Sequence, residues 1–242
     1  MDEINLEDVA KKYNALDKIW DDNDKWHIWT KTRIERFVKK SLGRIGNFQK
    51  FHILNAGSAG YSYNIPEENI IHVDIAKDKI SHLSNSIVAD IQKLPFQEPR
   101  FDMILCVGSV LNYCDPVQVM QEFQRVLKKG GYLILEFENS FTLELVGTAN
   151  FDKRVVLVKS FHNGRPEKIW YFSESYVKEL AMMAGCRTIL LERIHILSPL
   201  IYRITRNEGT SAKFARLDRF FSKVPLIRRF SSNSIFLFLK ER

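Results

Sequence analysis

The segment ILNAGSAG, Ile53 to Gly60, is a short apolar run that feeds glycines. A glycine at a strand-to-helix turn lets the backbone approach a ligand closely, because no Cβ stands in the way. The run NIIHVDIA then ends in Asp74, 17 positions after Gly57. An acid at that separation accepts hydrogen bonds from both hydroxyls of an adenosine ribose. Its competing role is to cap a helix over Lys77–Ile80. A third segment, IVADIQKLPF, places Asp90 after another strand, followed by apolar Ile91 and by Leu94-Pro95-Phe96. A nicotinamide enzyme needs room for a pyrophosphate and usually shows GxGxxG, which this turn lacks. That chemistry leaves the Asp90 segment unexplained.

The elements that must position these residues follow from periodicity. FHILNA, NIIHVD, SNSIVADI, FDMILCVGSV and YLILEFEN read as buried strands. PVQVMQEFQRVLKKGG reads as a helix with Val117, Met120, Phe123, Val126 and Leu127 on one face, stopped by Gly130 and Gly131. Residues 4 to 45 read as helical, with Ile34, Phe37, Val38 and Leu42 on one face and a turn-like break at Asp21–Asp24. Residues 141 to 172 are less regular. SESYVKELAMMAGC reads as a helix capped by Ser173 and stopped by Gly185. RTILLERIHIL and SIFLFLK supply the last strands. Alternating buried strands and connectors imply an α/β class, a doubly wound mostly parallel sheet.

In this order the segments from about Ile53 to Asn139 resemble the class I S-adenosylmethionine-dependent methyltransferases, in particular their small-molecule group with a type 11-like domain. The resemblance implies a Rossmann-like seven-stranded sheet whose last strand, here Ser234 to Leu239, is antiparallel and inserted beside the sixth. It implies S-adenosyl-L-methionine as cofactor. Asn55, Ala56 and Gly57 would line its methionine end. Asp74 would hold the ribose and Ile75 pack on the adenine. Asp90 would accept from the adenine amino group, and the Ile91 N–H would reach the ring. Val107 and Gly108 would form the floor near the sulfonium. Tyr13 resembles an aromatic that lies over the cofactor; core packing is its other role.

The family usually has an acid where Asn55 stands and glycines where Ala59 and Tyr61 stand. YSYNIPEENIIHVD leaves room for little more than a loop after the glycines, and Pro66 interrupts it. Tyr61, Ser62 and Tyr63 then become candidate contacts. A methyl on a sulfonium is already activated, so positioning and water exclusion dominate the chemistry. Candidate bases and acceptor contacts are Asn112 and Tyr113, then Tyr13, Trp26, His27 and Trp29, then His162 and Tyr171. Of these, His27 and Tyr113 are the catalytic candidates; a packed histidine and a loop-closing tyrosine are the alternatives. Glu136 and Glu138 face one side of a strand, either buried and functional or in an edge salt bridge. Trp20, Trp26, Trp29 and Trp170 form either an aromatic wall or core anchors.

The chain has 242 residues, 45% of them hydrophobic, and a net charge of +7. That length suits a single methyltransferase domain over 1–242, with an N-terminal helical cap (1–48), a cofactor-binding core (49–140), and a substrate-side insert with C-terminal strands (141–242). The surplus charge sits in Ile201–Arg242, where Phe214, Leu217 and Phe221 fall at helical spacing among Lys213, Arg216, Arg219 and Lys223. Such an amphipathic basic helix, within 212–230, either packs on its own sheet or makes peripheral membrane contact. Nucleic acid is disfavoured, because basic residues are not enriched near the cofactor motifs. Cys106, Cys114 and Cys186 lack metal spacing, so no metal is expected. The acidic start and the lack of a long apolar run suit a cytoplasmic protein. The expected function is methyl transfer to a small-molecule or lipid-like acceptor. The alternatives are a catalytically idle binding module and an RNA methyltransferase.

Overall fold

A computed structural model describes residues 4–162, 165–205 and 207–242. The apolar runs become β1 (Ile53–Ala56), β2 (Ile70–Asp74), β3 (Ser86–Val88), β4 (Phe101–Cys106) and β5 (Leu127–Glu138). A hairpin follows, β6 (Val155–His162) and β7 (Arg165–Phe172), then β8 (Cys186–Ile194) and β9 (Asn233–Lys240). Seven strands form one sheet in the order β3-β2-β1-β4-β5-β9-β8. β3, β2, β1, β4 and β5 run parallel, and β9 is antiparallel to both β5 and β8. The chain winds one way from β1 to β2 and the other way from β4 onward. The carboxyl ends therefore part between β1 and β4, where such sheets bind ligands.

The helices are α1 (Leu6–Asn14), α2 (Lys25–Ile45), α3 (Lys77–Ile80), α4 (Pro116–Val126), α5 (Glu174–Met183), α6 (Ser198–Thr205), α7 (Glu208–Phe214) and α8 (Asp218–Phe221). Strand alternation splits the core in two. Ile53, Met103, Leu105, Ile235 and Leu237 pack on Ile34, Phe37, Val38 and Leu42 of α2. Leu54, Ile104, Cys106, Phe236 and Phe238 face Val119, Met120 and Phe123 of α4 and Val177 and Leu180 of α5. β1 and β2 are joined by turns and one short 3-10 turn at Glu67–Asn69, as Pro66 required. The long α2 covers the strand face beside that loop.

Several expectations change in detail. The segment 4–45 is two helices, and α2 starts at the acidic turn because Asp24 Oδ1 accepts from the His27 N–H at 3.0 Å. α4 stops at Val126, since Leu127 already has strand dihedrals (φ −81°, ψ 131°), and Val117 is exposed. The region 141–172 is not merely irregular: it contains the β6–β7 hairpin. β8 ends at Ile194, and His195 beyond it takes φ +55°. The basic segment is broken into α7, a 3-10 turn, α8 and a second 3-10 turn at Ile227–Phe230, not one amphipathic helix. Buried Asp218 interrupts its apolar face, while Leu217, Phe220, Val224 and Leu226 are exposed. No described helix is long and apolar enough to cross a membrane.

Asp218 has a clear task. Its two oxygens accept from the Ile196 and Leu197 N–H groups, each at 3.0 Å, just past the end of β8. Asp218→Ala strands both donors, so it should cost about 1–3 kcal/mol of unfolding free energy in urea titration. An unchanged midpoint would contradict that role.

Candidate active site

A cavity opens over the carboxyl ends of β1 to β5. It is lined by Gly57, Ser58 and Ala59 after β1, by Asp74 and Ile75 at the end of β2, and by Asp90 and Ile91 after β3. Val107 to Val110 line it after β4, and Glu138 ends β5. Gly57 has φ +72°, and a Cβ there would meet Val110 Cγ1 at 2.3 Å. Any side chain there would have to displace that of Val110, in a backbone conformation that favours glycine. Asp74 does not cap α3 with its side chain. Its Oδ2 accepts from the Ala59 N–H and its Oδ1 from the Ala76 N–H, both at 2.7 Å. The carboxylate thus ties the glycine turn to the end of β2. Burial raises its pKa, and those N–H bonds oppose the rise. Asp90 Oδ1 accepts from the Gln92 N–H at 2.8 Å, closing an Asx turn below Ile91.

The other end of the cavity is also acidic. Gly108 and Ser109 both lie in the left-handed region, at φ +84° and +58°. Glu136, fully buried, holds them: Oε2 accepts from the Gly108 N–H at 2.8 Å and the Ser109 N–H at 2.6 Å. Its Oε1 accepts from Asn233 Nδ2 at 2.6 Å. Glu138 accepts from Ser109 Oγ at 3.1 Å, Asn233 Nδ2 at 3.2 Å and Ser232 Oγ at 3.2 Å. Burial, and then the neighbouring Glu136 and Glu144, push the Glu138 pKa up to about 8.

The N-terminal helices roof the cavity. Tyr13 meets Tyr113 edge-on, with the hydroxyls 3.3 Å apart. The Tyr113 hydroxyl donates to Glu167 at 2.9 Å, and Lys12 pairs with Glu167 and reaches Tyr113. On its other side α1 rests on α3, where the Asp78 N–H donates to Asn14 at 3.0 Å and Lys79 donates to the Leu16 carbonyl. Trp20, Trp26 and Tyr63 complete the wall. The Trp20 Nε1–H is buried beside the Tyr63 hydroxyl without an acceptor of good geometry.

Residues 54–135 match the family described as a methyltransferase domain. A methyltransferase domain thus spans the sheet's core, from β1 into β5. It is 31% identical over 107 residues to an uncharacterised protein of Methanocaldococcus jannaschii, covering 42% of this chain and 47% of that protein. It is 36% identical over 106 residues to the demethylmenaquinone methyltransferase of Protochlamydia amoebophila, covering 36% and 44%. The chain thus spans about half the length of the curated relatives it matches. Its fold is similar to that of a Burkholderia thailandensis 1,6-didemethyltoxoflavin-N1-methyltransferase with bound 1,6-didemethyltoxoflavin and S-adenosylhomocysteine. The TM-score is 0.59 at 12% identity, covering 98% of this chain and 87% of that one.

Within this methyltransferase fold, the structure brings Tyr13, His27, Gly57, Asp74, Ile75, Asp90, Ile91, Val107, Gly108 and Tyr113 to one cavity. Asn55 and Ala56 lie below it, buried in β1, and do not line it. Asn55 instead donates to the Tyr61 carbonyl at 2.8 Å and pins the loop. His27 Nδ1 pairs with the capping Asp24. Tyr113 joins the roof to the hairpin, and burial holds its pKa well above the usual phenol value. Trp20 and Trp26 line the cavity; Trp29 and Trp170 do not. Asn112 bonds the Glu138 N–H and the Trp170 carbonyl, Tyr171 packs in the hairpin core, and the His162 side chain lies outside the described residues. Sequence reasoning missed Ser58, Ala59, Val110, Cys114 and Glu167. Glu167 was hidden because its hairpin was not foreseen.

Two outcomes test this arrangement. Lys12→Ala removes charge-assisted bonds worth about 1.5–3 kcal/mol. Amide exchange over Leu6–Asn14 should then quicken roughly tenfold or more while β4 and β5 stay protected; equal rates would contradict the latch. Glu138, with a folded pKa of about 8 against 4.5 unfolded, contributes stability that is full below 4.5 and lost as pH rises through 8. Glu138→Gln cannot ionise, so its unfolding free energy should gain on the wild type between pH 5 and 9; a constant difference would contradict it.

Proposed function

We propose that this protein transfers the methyl group of S-adenosylmethionine to a small-molecule acceptor. The observation that carries this reading is the order of groups along one cavity: Asp90, Asp74, Gly57 and Gly108 follow the strand order β3, β2, β1, β4. Asp90 and Ile91 would hold the adenine, Asp74 the ribose, and the Gly57 and Gly108 turns the methionine end. The cavity fits such a cation. Among its described lining residues there are four carboxylates and no Lys or Arg. The Asp74 carboxylate receives backbone N–H groups of Ala59, Ala76 and Ile75, and its oxygens keep capacity for a further donor. The unpartnered Trp20 Nε1–H adds a donor for an anionic group.

When bound, the sulfonium supplies a methyl group already activated for displacement. The chain's own residues position and enclose it. Glu136 fixes the Gly108–Ser109 turn that floors the reacting region. The α1 roof excludes water, whose competition would waste the methyl group. Acceptor space remains beyond Gly108, toward Glu138 and Asn233 and under Trp20 and Trp26. The lack of Lys and Arg among the described lining residues disfavours an RNA acceptor, whose phosphates want them.

Calorimetric titration with S-adenosylmethionine and S-adenosylhomocysteine tests the reading. Micromolar binding is expected. Asp74→Ala should weaken it about 10- to 100-fold, the worth of charge-assisted bonds to a carboxylate. No binding of either compound would sink the proposal and favour an idle module.

A further inference from the structure

Glu138 and Asp90 stand at opposite ends of the cavity when read along the sheet. Asp90 follows β3, near one edge of the sheet; Glu138 ends β5, beside Asn233 at the start of β9. If the adenosine occupies the β2–β3 end, Glu138 faces the acceptor. Among the described residues, its partners are neutral or negative. The polar groups that touch it are Ser109, Asn233 and Ser232, and its charged neighbours are Glu136 and Glu144. Glu136 is committed to three donors and does not line the cavity. Glu167 lines the cavity but is engaged by Lys12 and Tyr113. Glu138 therefore differs from both. It lines the cavity, and its Oε2 holds one hydroxyl contact, from Ser232, with room for another donor.

We propose that Glu138 binds a protonated amine on the acceptor and takes its proton, so that the methylated atom is nitrogen. The inference rests on the methyl-transfer reading above. The charge pattern supports it: Glu136 and Glu144 disfavour ionisation of Glu138, and a bound ammonium beside it would offset that repulsion and hold it as the carboxylate. A carboxylate acceptor would meet four acids and, among the described lining residues, no Lys or Arg. The aromatic walls of Trp20, Trp26, Tyr13 and Tyr113 suit an aryl-bearing cation. Proton affinity favours an amine over an alcohol. An alkylammonium near pKa 10.4 lies about two units above Glu138, whereas a hydroxyl resembling water lies near 15.7.

The step balances. The ammonium gives one proton to the Glu138 carboxylate, leaving a neutral amine and a neutral acid. The nitrogen lone pair forms the new N–C bond to the methyl carbon. The C–S bond breaks with its pair on sulfur, turning the sulfonium into a neutral thioether. The positive charge passes to the methylated nitrogen.

The test uses the full chain saturated with S-adenosylhomocysteine. It is titrated with 2-phenylethylamine, 2-phenylethanol and phenylacetate, for wild type and Glu138→Gln. The amine should bind at least tenfold more tightly than the alcohol or the acid. Glu138→Gln should lose at least tenfold for the amine and keep its S-adenosylhomocysteine affinity within about twofold. With S-adenosylmethionine, the wild type should form the N-methylated amine. Amine binding that is absent, or no tighter than that of the alcohol or acid, overturns the assignment, as does a variant that retains amine affinity. If the variant folds poorly, the wild-type selectivity alone decides. Loss of S-adenosylhomocysteine binding by the wild type would instead overturn the methyl-transfer reading itself.

Discussion

At the carboxyl edge of the sheet, buried carboxylates hold backbone N–H groups that no strand or helix satisfies. Asp74 holds Ala59 and Ala76, and Glu136 holds Gly108 and Ser109. Irregular backbone under a cavity would otherwise leave buried donors unpaired, each costing about 1–3 kcal/mol. The loop after β1 depends on this most, because no helix follows the glycine turn. Ala59 takes φ +41°, a conformation in which an L side chain is strained, and the Asp74 bond fixes it there.

The same device sets the electrostatics of the site. Carboxylates that serve the backbone are drawn into the interior, and burial raises their proton affinity. Among the described residues, the cavity wall carries four carboxylates and no Lys or Arg. Such a wall suits a cofactor whose reacting centre is positive. Aromatic rings close the roof, so the apolar surface that excludes water also shapes the acceptor space.

Much of this was legible in the sequence. Buried strands announced themselves as unbroken apolar runs, and Asp74 and Asp90 stood at their ends. Periodicity failed where a local signal was ambiguous. Leu127 fits the α4 face as well as the first residue of β5, and the strand won through its pairing with Phe101. The β6–β7 hairpin carries the Asn163-Gly164 pair, a hairpin signal, but the flanking residues mix charged and apolar types without clean alternation, so the region read as irregular. Asn55 sits within the motif by sequence, yet its side chain turns to the Tyr61 carbonyl, a direction only the folded loop defines. The carboxyl cluster of Glu136 and Glu138 with Asn233 joins positions about a hundred residues apart through strand register.

The most direct measurement is a crystal structure of the chain with S-adenosylhomocysteine. The account predicts the adenine beside Asp90 and Ile91, the ribose hydroxyls on Asp74, and the sulfur above Gly57 and Gly108, with the space toward Glu138 left open. A ligand bound outside this cavity, or one running in the reverse direction with adenine at Glu138, would contradict it.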